Sequence, residues 1–400
     1  MIKELKILEI FTLLIFNVLL YNNIYIIIIN TMAIYLGMYS FKIFEEDIGA
    51  TPSEIIIRYL FGFITASFMI FLISLFSAQL LQNYNLLKIF ISSFISIPVL
   101  HLLFFKYERK YIKPLRYVVY GKKNYYKNIL EEITKKSRGN IVFIGYIETL
   151  EELEFYNNNV NYDRLLIANP YISDKMKKYI EKRNIKKEYI TSIAERFLKR
   201  IPLKIMYSFE EYYKIYFSEK EEPKLKRVID ILFSVVLLII FSPVMLLISI
   251  VILLESGFPL VFRQKRFGKN QMPFEMIKFR TMDKKGKILK SGKLIRKTRV
   301  DEVLQFINVI KGDMSIVGPR PEIEKFHNQM LRNINYYEIR YQTKPGITGW
   351  AQIYYKYTQS LEDYKRKTEY DLYYIKNRSI MLDLQIMLKT VETMFFHKGQ

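Results

Sequence analysis

The sequence predicts a membrane protein of mixed α and α/β class: an N-terminal four-helix transmembrane bundle, a small Rossmann-like α/β domain, and a C-terminal α-rich domain carrying a re-entrant membrane helix-hairpin. Three observations lead there. The first hundred residues are almost wholly apolar, residues 116–206 alternate β-rich runs with polar helical segments, and a 24-residue apolar run from Ile231 to Leu254 is flanked by cations at both ends.

The apolar start reads as four membrane helices at roughly 5–21, 24–41, 58–81 and 86–105, the first pair joined tightly through "YNNIY". No small-residue cleavage site follows the first run, so a signal peptide is rejected. Lys3 and Lys6 precede the first helix and "KYERKYIKPLRYVVYGKKNYYKN" follows the fourth, which places both flanks in the cytoplasm. Lys88 falls at the outer end of the fourth helix and has to snorkel to the headgroups.

The next region, 106–220, holds "RYVVYG", "NIVFIGYI" and "YDRLLIANP" interleaved with segments such as "SDKMKKYIEKRN", the pattern of a small α/β unit with a parallel sheet. Its first strand ends at Gly121, where a dinucleotide-binding domain continues G-x-G-x-x-G; here "KKNYYKN" follows, so the domain is a degenerate Rossmann relative with a structural or regulatory role.

The fifth apolar run opens the 224–400 domain. Lys224, Lys226 and Arg227 precede it and Arg263, Lys265 and Arg266 follow, so the positive-inside rule claims both ends for one face. Ser242 and Pro243 lie at its centre, where proline removes a helix hydrogen bond and serine can cap the freed carbonyls. A broken, re-entrant helix over 229–255 fits both facts. Length alone favours a fifth crossing.

With 61 Lys and Arg against 39 Asp and Glu, the chain favours an anionic partner. Cysteine is absent and the three histidines are scattered, which excludes thiolate chemistry and argues against zinc or a Ser-His-Asp triad; any metal is a hard cation on carboxylates and phosphates. No recognition-helix, RNP or zinc-finger pattern supports a nucleic-acid partner. Between Phe262 and Arg299 fourteen Lys or Arg stand against only Glu275 and Asp283, mostly a solvated face for anionic lipid. Within it, "MIKFRTM" (276–282) has strand period and points Lys278 and Arg280 to one face, as a phosphate site needs.

Thr298-x-x-Asp301 has the form of a capping box, and Val300, Val303, Leu304, Ile307 and Ile310 form the stripe of an amphipathic helix ending at Gly312. Asp301 and Glu302 then occupy its first turn, where acids often do no more than complement the dipole. The sequel "KGDMSIVGPRPE" adds Arg320 in a rigid Gly-Pro-Arg-Pro turn. Two acids among Lys278, Arg280 and Arg320 describe a phosphate-handling site, one carboxylate to attack phosphorus and the other to hold a divalent ion.

"KRVIDILFSVVLLIIFSPVMLL", "FRQKRFGKN…FEMIKFRTM", "RKTRVDEVLQFINVIKGDMSIVGPRPE", "KPGITGWAQI" and "YDLYYIKNRSIMLDLQIMLKT" together resemble the bacterial sugar transferase family, the monotopic polyprenyl-phosphate phosphoglycosyl transferases, over roughly residues 224–400. The four preceding helices and the α/β domain are similar to the family's large form. The resemblance implies transfer of a sugar-1-phosphate from a UDP-sugar donor to undecaprenyl phosphate, releasing UMP, as the first step of exopolysaccharide, capsule or O-antigen repeat units at the cytoplasmic face of the inner membrane. It implies Asp301 as nucleophile, Glu302 as the Mg²⁺ ligand, and Lys278, Arg280 and Arg320 near the phosphates. It also implies Ser242 and Pro243 as the re-entrant break. Trp350 matches a motif that closes over the site or meets the membrane, with an interfacial anchor as the plain alternative, and Asp383 fits a family position or a helix cap. Partners are the donor, the lipid acceptor and the bilayer, with a homo-oligomer left open. A catalytically silent scaffold for polysaccharide assembly is the competing reading.

Overall fold

A computed structural model of the chain describes residues 2–40, 52–75, 85–94, 113–137, 139–218, 222–283, 285–355 and 359–395. Two compact units make up the chain: residues 1–117 with 134–144, and residues 118–133 with 145–400.

The apolar start folds into α1 (Ile2–Leu20), α2 (Ile24–Ser40), α3 (Pro52–Ser74) and α4 (Leu86–Phe94), matching the expected starts of the first, second and fourth helices within a few residues. The expected stretches 76–81 and 95–105 lie outside the described residues. The helices share a core of Leu13, Ile34, Met38, Tyr59, Ala66, Ile70 and Ile89. α2 and α3 approach so closely that a Cβ on Gly37 would lie 2.5 Å from the Gly62 carbonyl, which only small residues permit. Lys88 reaches back to donate to the Leu20 carbonyl at 3.1 Å and lies 5.2 Å over the Tyr21 ring. Among the described residues these helices are apolar but short, with stretches 7–20, 24–39 and 58–74.

The α/β region comprises β1 (Leu115–Tyr120), α5 (Lys123–Lys136), β2 (Ile141–Ile147), α6 (Leu150–Asn159), β3 (Arg164–Ile167), α7 (Asp174–Lys182), β4 (Lys187–Tyr189), α8 (Ile190–Leu198), α9 (Leu203–Ser208) and α10 (Glu210–Tyr216). Strand order is β2-β1-β3-β4, with β3 and β4 parallel. The three β-rich runs of the sequence are strands as expected, and Ser173 caps α7 by accepting from the Met176 amide.

α11 (Lys224–Ser256) is long and apolar enough to cross a membrane by length and composition, and little of it is covered by protein: Leu232, Ile239, Ile240, Leu246 and Leu247 are all exposed. At Ser242-Pro243, where the sequence predicts a break, the helical hydrogen-bonding pattern continues through Pro243. Proline leaves the Ile239 carbonyl without its donor, and Ser242 Oγ supplies one at 2.7 Å, so no backbone group forces the helix to end.

The remainder packs against both ends of α11. It contains β5 (Val261–Phe267), β6 (Pro273–Phe279), α12 (Lys290–Lys297), a 3₁₀ turn (Val300–Glu302), α13 (Gln305–Lys311), β7 (Ser315–Val317), α14 (Glu324–Asn333), a second 3₁₀ turn (Tyr337–Gln342), β8 (Gly346–Thr348), α15 (Trp350–Tyr354), α16 (Leu361–Asn377) and α17 (Ile380–Phe395). β5 and β6 form an antiparallel hairpin, and β7 and β8 a parallel pair. At the start of α11, Arg227 donates to the Val309 and Ile310 carbonyls at 2.6 and 2.8 Å. Near its end, Ile248 and Ile252 are buried with Ile277, Phe279, Leu289, Ile295 and Leu304.

Within the second unit, α16 is the seam to the α/β segment. Arg200, fully buried, bridges Glu132 at 2.5 Å and Glu369 of α16. Lys376 pairs with Glu195 at 2.6 Å and stands over the Tyr216 and Tyr212 rings at 4.4 and 4.8 Å.

Candidate active site

The two acids do not stand in the first turn of a regular helix. α12 ends at Thr298, whose hydroxyl turns back to the Leu294 and Ile295 carbonyls at 2.9 and 3.1 Å. The expected capping box is therefore absent: Thr298 serves the helix before it, and its oxygen is not available to the next. Arg299 adopts a left-handed φ of 56°, unusual for a side-chain-bearing residue, and swings the chain into the 3₁₀ turn that carries Asp301 and Glu302. α13 starts only at Gln305. It ends, as expected, at Gly312, whose φ of 97° suits a residue without Cβ. Of the expected stripe, Val303 and Leu304 are buried and Ile310 is exposed, while Val309 takes the buried place.

Asp301 is buried at 7% exposure. Burial first, and then the charge of Glu302, push its pKa above the usual aspartate value; Lys278 and Arg296 act in the opposite sense without overcoming them. Glu302 accepts from Arg320 Nη2 at 3.0 Å, and this partner raises the Arg320 pKa further. Lys278 projects from β6, half-buried, 5.4 Å over the Phe262 ring directly across the hairpin. Burial lowers its pKa, and both carboxylates oppose that. The structure thus joins Asp301, Glu302, Lys278 and Arg320 in one electrostatic cluster.

Arg280 is not aimed there. β6 stops at Phe279, and the Arg280 guanidinium turns to the end of α11, donating to the Ser256 and Gly257 carbonyls at 3.1 and 2.6 Å and to Ser256 Oγ at 2.6 Å. The carbonyls at a helix C-terminus lack intrahelical donors and carry partial negative charge, so they compete for a nearby cation. Ser242 and Pro243 sit in the exposed middle of α11.

The Gly-Pro-Arg-Pro turn is held at every carbonyl from Pro319 to Glu322. The donors are the Gly346 amide at 2.9 Å, Arg340 Nη2 at 2.8 Å, Arg266 Nη1 at 3.1 Å and the Phe267 amide at 3.2 Å. Gly318 is obligatory at its start, since a Cβ there would meet the Lys344 carbonyl at 2.2 Å.

Several residues that matter here carried no local sequence signal. Asn308, 1% exposed, accepts from the Ile277 amide at 3.0 Å and donates to the Glu275 carbonyl at 2.7 Å and Asp313 at 3.1 Å, pinning the Lys278 strand to the helix that follows Asp301. Arg296 and Arg266 act on the cluster through their charges. Trp350 is buried, stacks on Tyr373, and donates its indole N–H to the Lys199 carbonyl at 2.8 Å. Asp383 is no helix cap. It is buried, 2.6 Å from Lys226 Nζ, and accepts from the Tyr374 hydroxyl at 2.8 Å.

Among the described residues no group of three or more His, Cys, Asp or Glu side chains converges. Magnesium does not require one, because it keeps several waters and shares substrate phosphates. The fit is in the donor chemistry: Asp301 and Glu302 are adjacent carboxylates, the hard oxygen ligands that a magnesium ion takes alongside water and phosphate.

The family model described as bacterial sugar transferase matches residues 221–397. The chain is 43% identical over 182 residues to the UDP-N-acetylgalactosamine-undecaprenyl-phosphate N-acetylgalactosaminephosphotransferase of Aeromonas hydrophila, covering 42% of this chain and 43% of that one. It is 39% identical over 190 residues to the UDP-glucose:undecaprenyl-phosphate glucose-1-phosphate transferase of Escherichia coli (strain K12), covering 44% of this chain and 41% of the relative. The sugar transferase EpsL of Bacillus subtilis (strain 168) is 39% identical over 186 residues, which are 44% of this chain and 89% of EpsL. The chain thus matches less than half the length of the Aeromonas and Escherichia relatives.

Proposed function

The chain belongs to the bacterial sugar transferase family, and from that premise we propose that it transfers a sugar-1-phosphate from a UDP-sugar to undecaprenyl phosphate and releases UMP. The observation that carries the reading is the buried Asp301 beside the Glu302–Arg320 pair, with Lys278 in electrostatic reach.

Asp301 Oδ attacks the phosphorus bearing the sugar; the bond to the UMP oxygen breaks, and UMP leaves with that electron pair. The sugar phosphate remains as an aspartyl ester. A phosphate oxygen of undecaprenyl phosphate then attacks the same phosphorus, the aspartyl bond breaks, and the carboxylate is regenerated with undecaprenyl diphosphate-sugar as product. Attack by an anion on a diphosphate is opposed by charge, which Lys278 and Arg320 offset from fixed positions. Glu302, with Asp301 beside it, would hold Mg²⁺, which supplies further charge neutralisation on the phosphates. Arg280 acts in this reading at the end of α11, tying the Lys278 strand to the apolar helix.

The domains read as 1–105, 106–220 and 224–400, with four membrane crossings in the first and α11 re-entering from the cytoplasmic face of the inner membrane. Support for re-entry is that one folded segment holds both ends of α11: Arg227 at Val309 and Ile310, and Ile248 and Ile252 among Ile277, Phe279 and Leu304. A straight helix would separate Arg227 and Ile248 by about 31 Å, the thickness of a bilayer core. A helix crossing the membrane would leave one end out of the domain's reach, so re-entry here means a bend within a continuous helix.

The test uses membranes carrying wild type or Asp301→Ala, given undecaprenyl phosphate, Mg²⁺ and a donor panel headed by UDP-N-acetylgalactosamine and UDP-glucose, with UMP followed. Expected is Mg²⁺-dependent UMP from wild type and none from the variant. No UMP from any donor, with an active relative run alongside, would favour the scaffold reading.

A further inference from the structure

Arg340 lies behind the site, 1% exposed, and no substrate can touch it. Its Nη2 donates to the backbone carbonyl of Arg320 at 2.8 Å and lies 3.0 Å from Asp371 Oδ2. Its Nη1 donates to the Tyr337 hydroxyl at 2.6 Å and lies 3.6 Å from Glu322 Oε1. The guanidinium stands 4.9 Å over the Tyr337 ring and 5.7 Å over Tyr341. Glu322 is shared with Lys367, so two buried cations face two buried carboxylates and the cluster is neutral as a whole.

We propose that Arg340, fixed by Asp371 of α16, is a positioning residue for the phosphate-handling cation Arg320; the proposal rests on the role read above for Arg320. Pro319 and Pro321 lock their own φ angles, and Pro321 confines Arg320 to extended backbone. What remains soft is the tilt of the Arg320–Pro321 peptide, and with it the direction in which the Arg320 side chain leaves the loop. Arg340 holds that peptide by its oxygen. A planar fork can donate to the carbonyl from one nitrogen and to Tyr337 from another while its charge faces Asp371; lysine has the charge but not this geometry.

Arg340→Lys therefore keeps the cluster neutral and loosens Arg320. The expected effect is a fall in kcat for UMP release of roughly 10- to 100-fold, the scale of an ångström-sized misplacement of a catalytic group, with donor KM changed less. The deciding measurement is a cycle in two backgrounds. With Arg320→Ala there is no side chain left to position, so adding Arg340→Lys should change the residual rate less than about 2-fold, near additivity error. An equal fall in both backgrounds would overturn the proposal and leave Arg340 a structural residue. Folding of each variant is followed by the fluorescence of Trp350, the lone tryptophan. Should Arg340→Lys fail to fold, Asp371→Asn, which preserves shape and removes the anchor, is carried through the same cycle under the same criterion. Wild type that releases no UMP at all would sink the reading of Arg320 itself, an outcome distinct from additivity in an active enzyme.

Discussion

Replacing Asn308 by alanine would remove a side chain that bonds both the Lys278 strand and the loop after α13. Three groups lose their partner: the Ile277 amide, the Glu275 carbonyl and the Asp313 carboxylate. The Ile277 amide is buried, and a buried donor left unpaired costs about 1–3 kcal/mol; the part-buried Glu275 carbonyl adds about 1 kcal/mol, and Asp313 can turn to water. The expected loss is about 2–4 kcal/mol. Trp350 is buried in the same unit and reports unfolding without labelling. In a urea titration of the micelle-purified protein, with an m value of about 3 kcal/mol per M, the midpoint should fall by roughly 1 M. Asn333→Ala is the control, since Asn333 makes only an exposed bond to the Gln329 carbonyl of its own helix and should stay within about 0.5 kcal/mol of wild type. If Asn308→Ala and Asn333→Ala were equally mild, the reasoning that Asn308 pins β6 to α13 would fail.

The raised pKa of Asp301 sets two further outcomes. In metal-free protein the Asp301 carboxyl, followed by NMR, should titrate above the usual aspartate range, and a titration within that range would count against it. The folded chain holds this proton more tightly than the unfolded chain, so Asp301 costs stability as pH rises from its ordinary pKa through its raised one. Asp301→Asn should then be inactive yet at least as resistant to urea at pH 7, and a clear loss of stability would contradict the direction of the shift. For Trp350, enclosed by Tyr373 and bonded to Lys199, brominated phospholipids should leave fluorescence nearly unquenched; strong quenching would return it to the membrane interface.

Much of the architecture was legible because it depends on neighbours in the chain. Apolar runs placed α1, α2 and α11, β-rich runs flanked by turn residues placed β1 to β3, and Gly312 marked the end of α13 through the backbone conformation it alone takes without strain. The acids, Lys278 and Arg320 could be named from residue type and spacing, since phosphate chemistry needs carboxylates and fixed cations.

What local pattern left undecided shares one cause. Thr298 had two helices within reach of one hydroxyl, and local pattern could not say which would have it; Arg280 met the end of α11, and Trp350 the Lys199 carbonyl, across 23 and 151 residues of sequence. Asn308 and Arg340 are ordinary residues in the sequence and become specific only where folding sets them against particular backbone groups. Periodicity and turn chemistry act over a few residues, so the sequence by itself determined the elements and the residue types gathered at the candidate site. Which cation faces the carboxylates, and what holds it there, was decided by tertiary structure, because hydrogen bonds are settled by distance in space and the competing partners lie far apart along the chain.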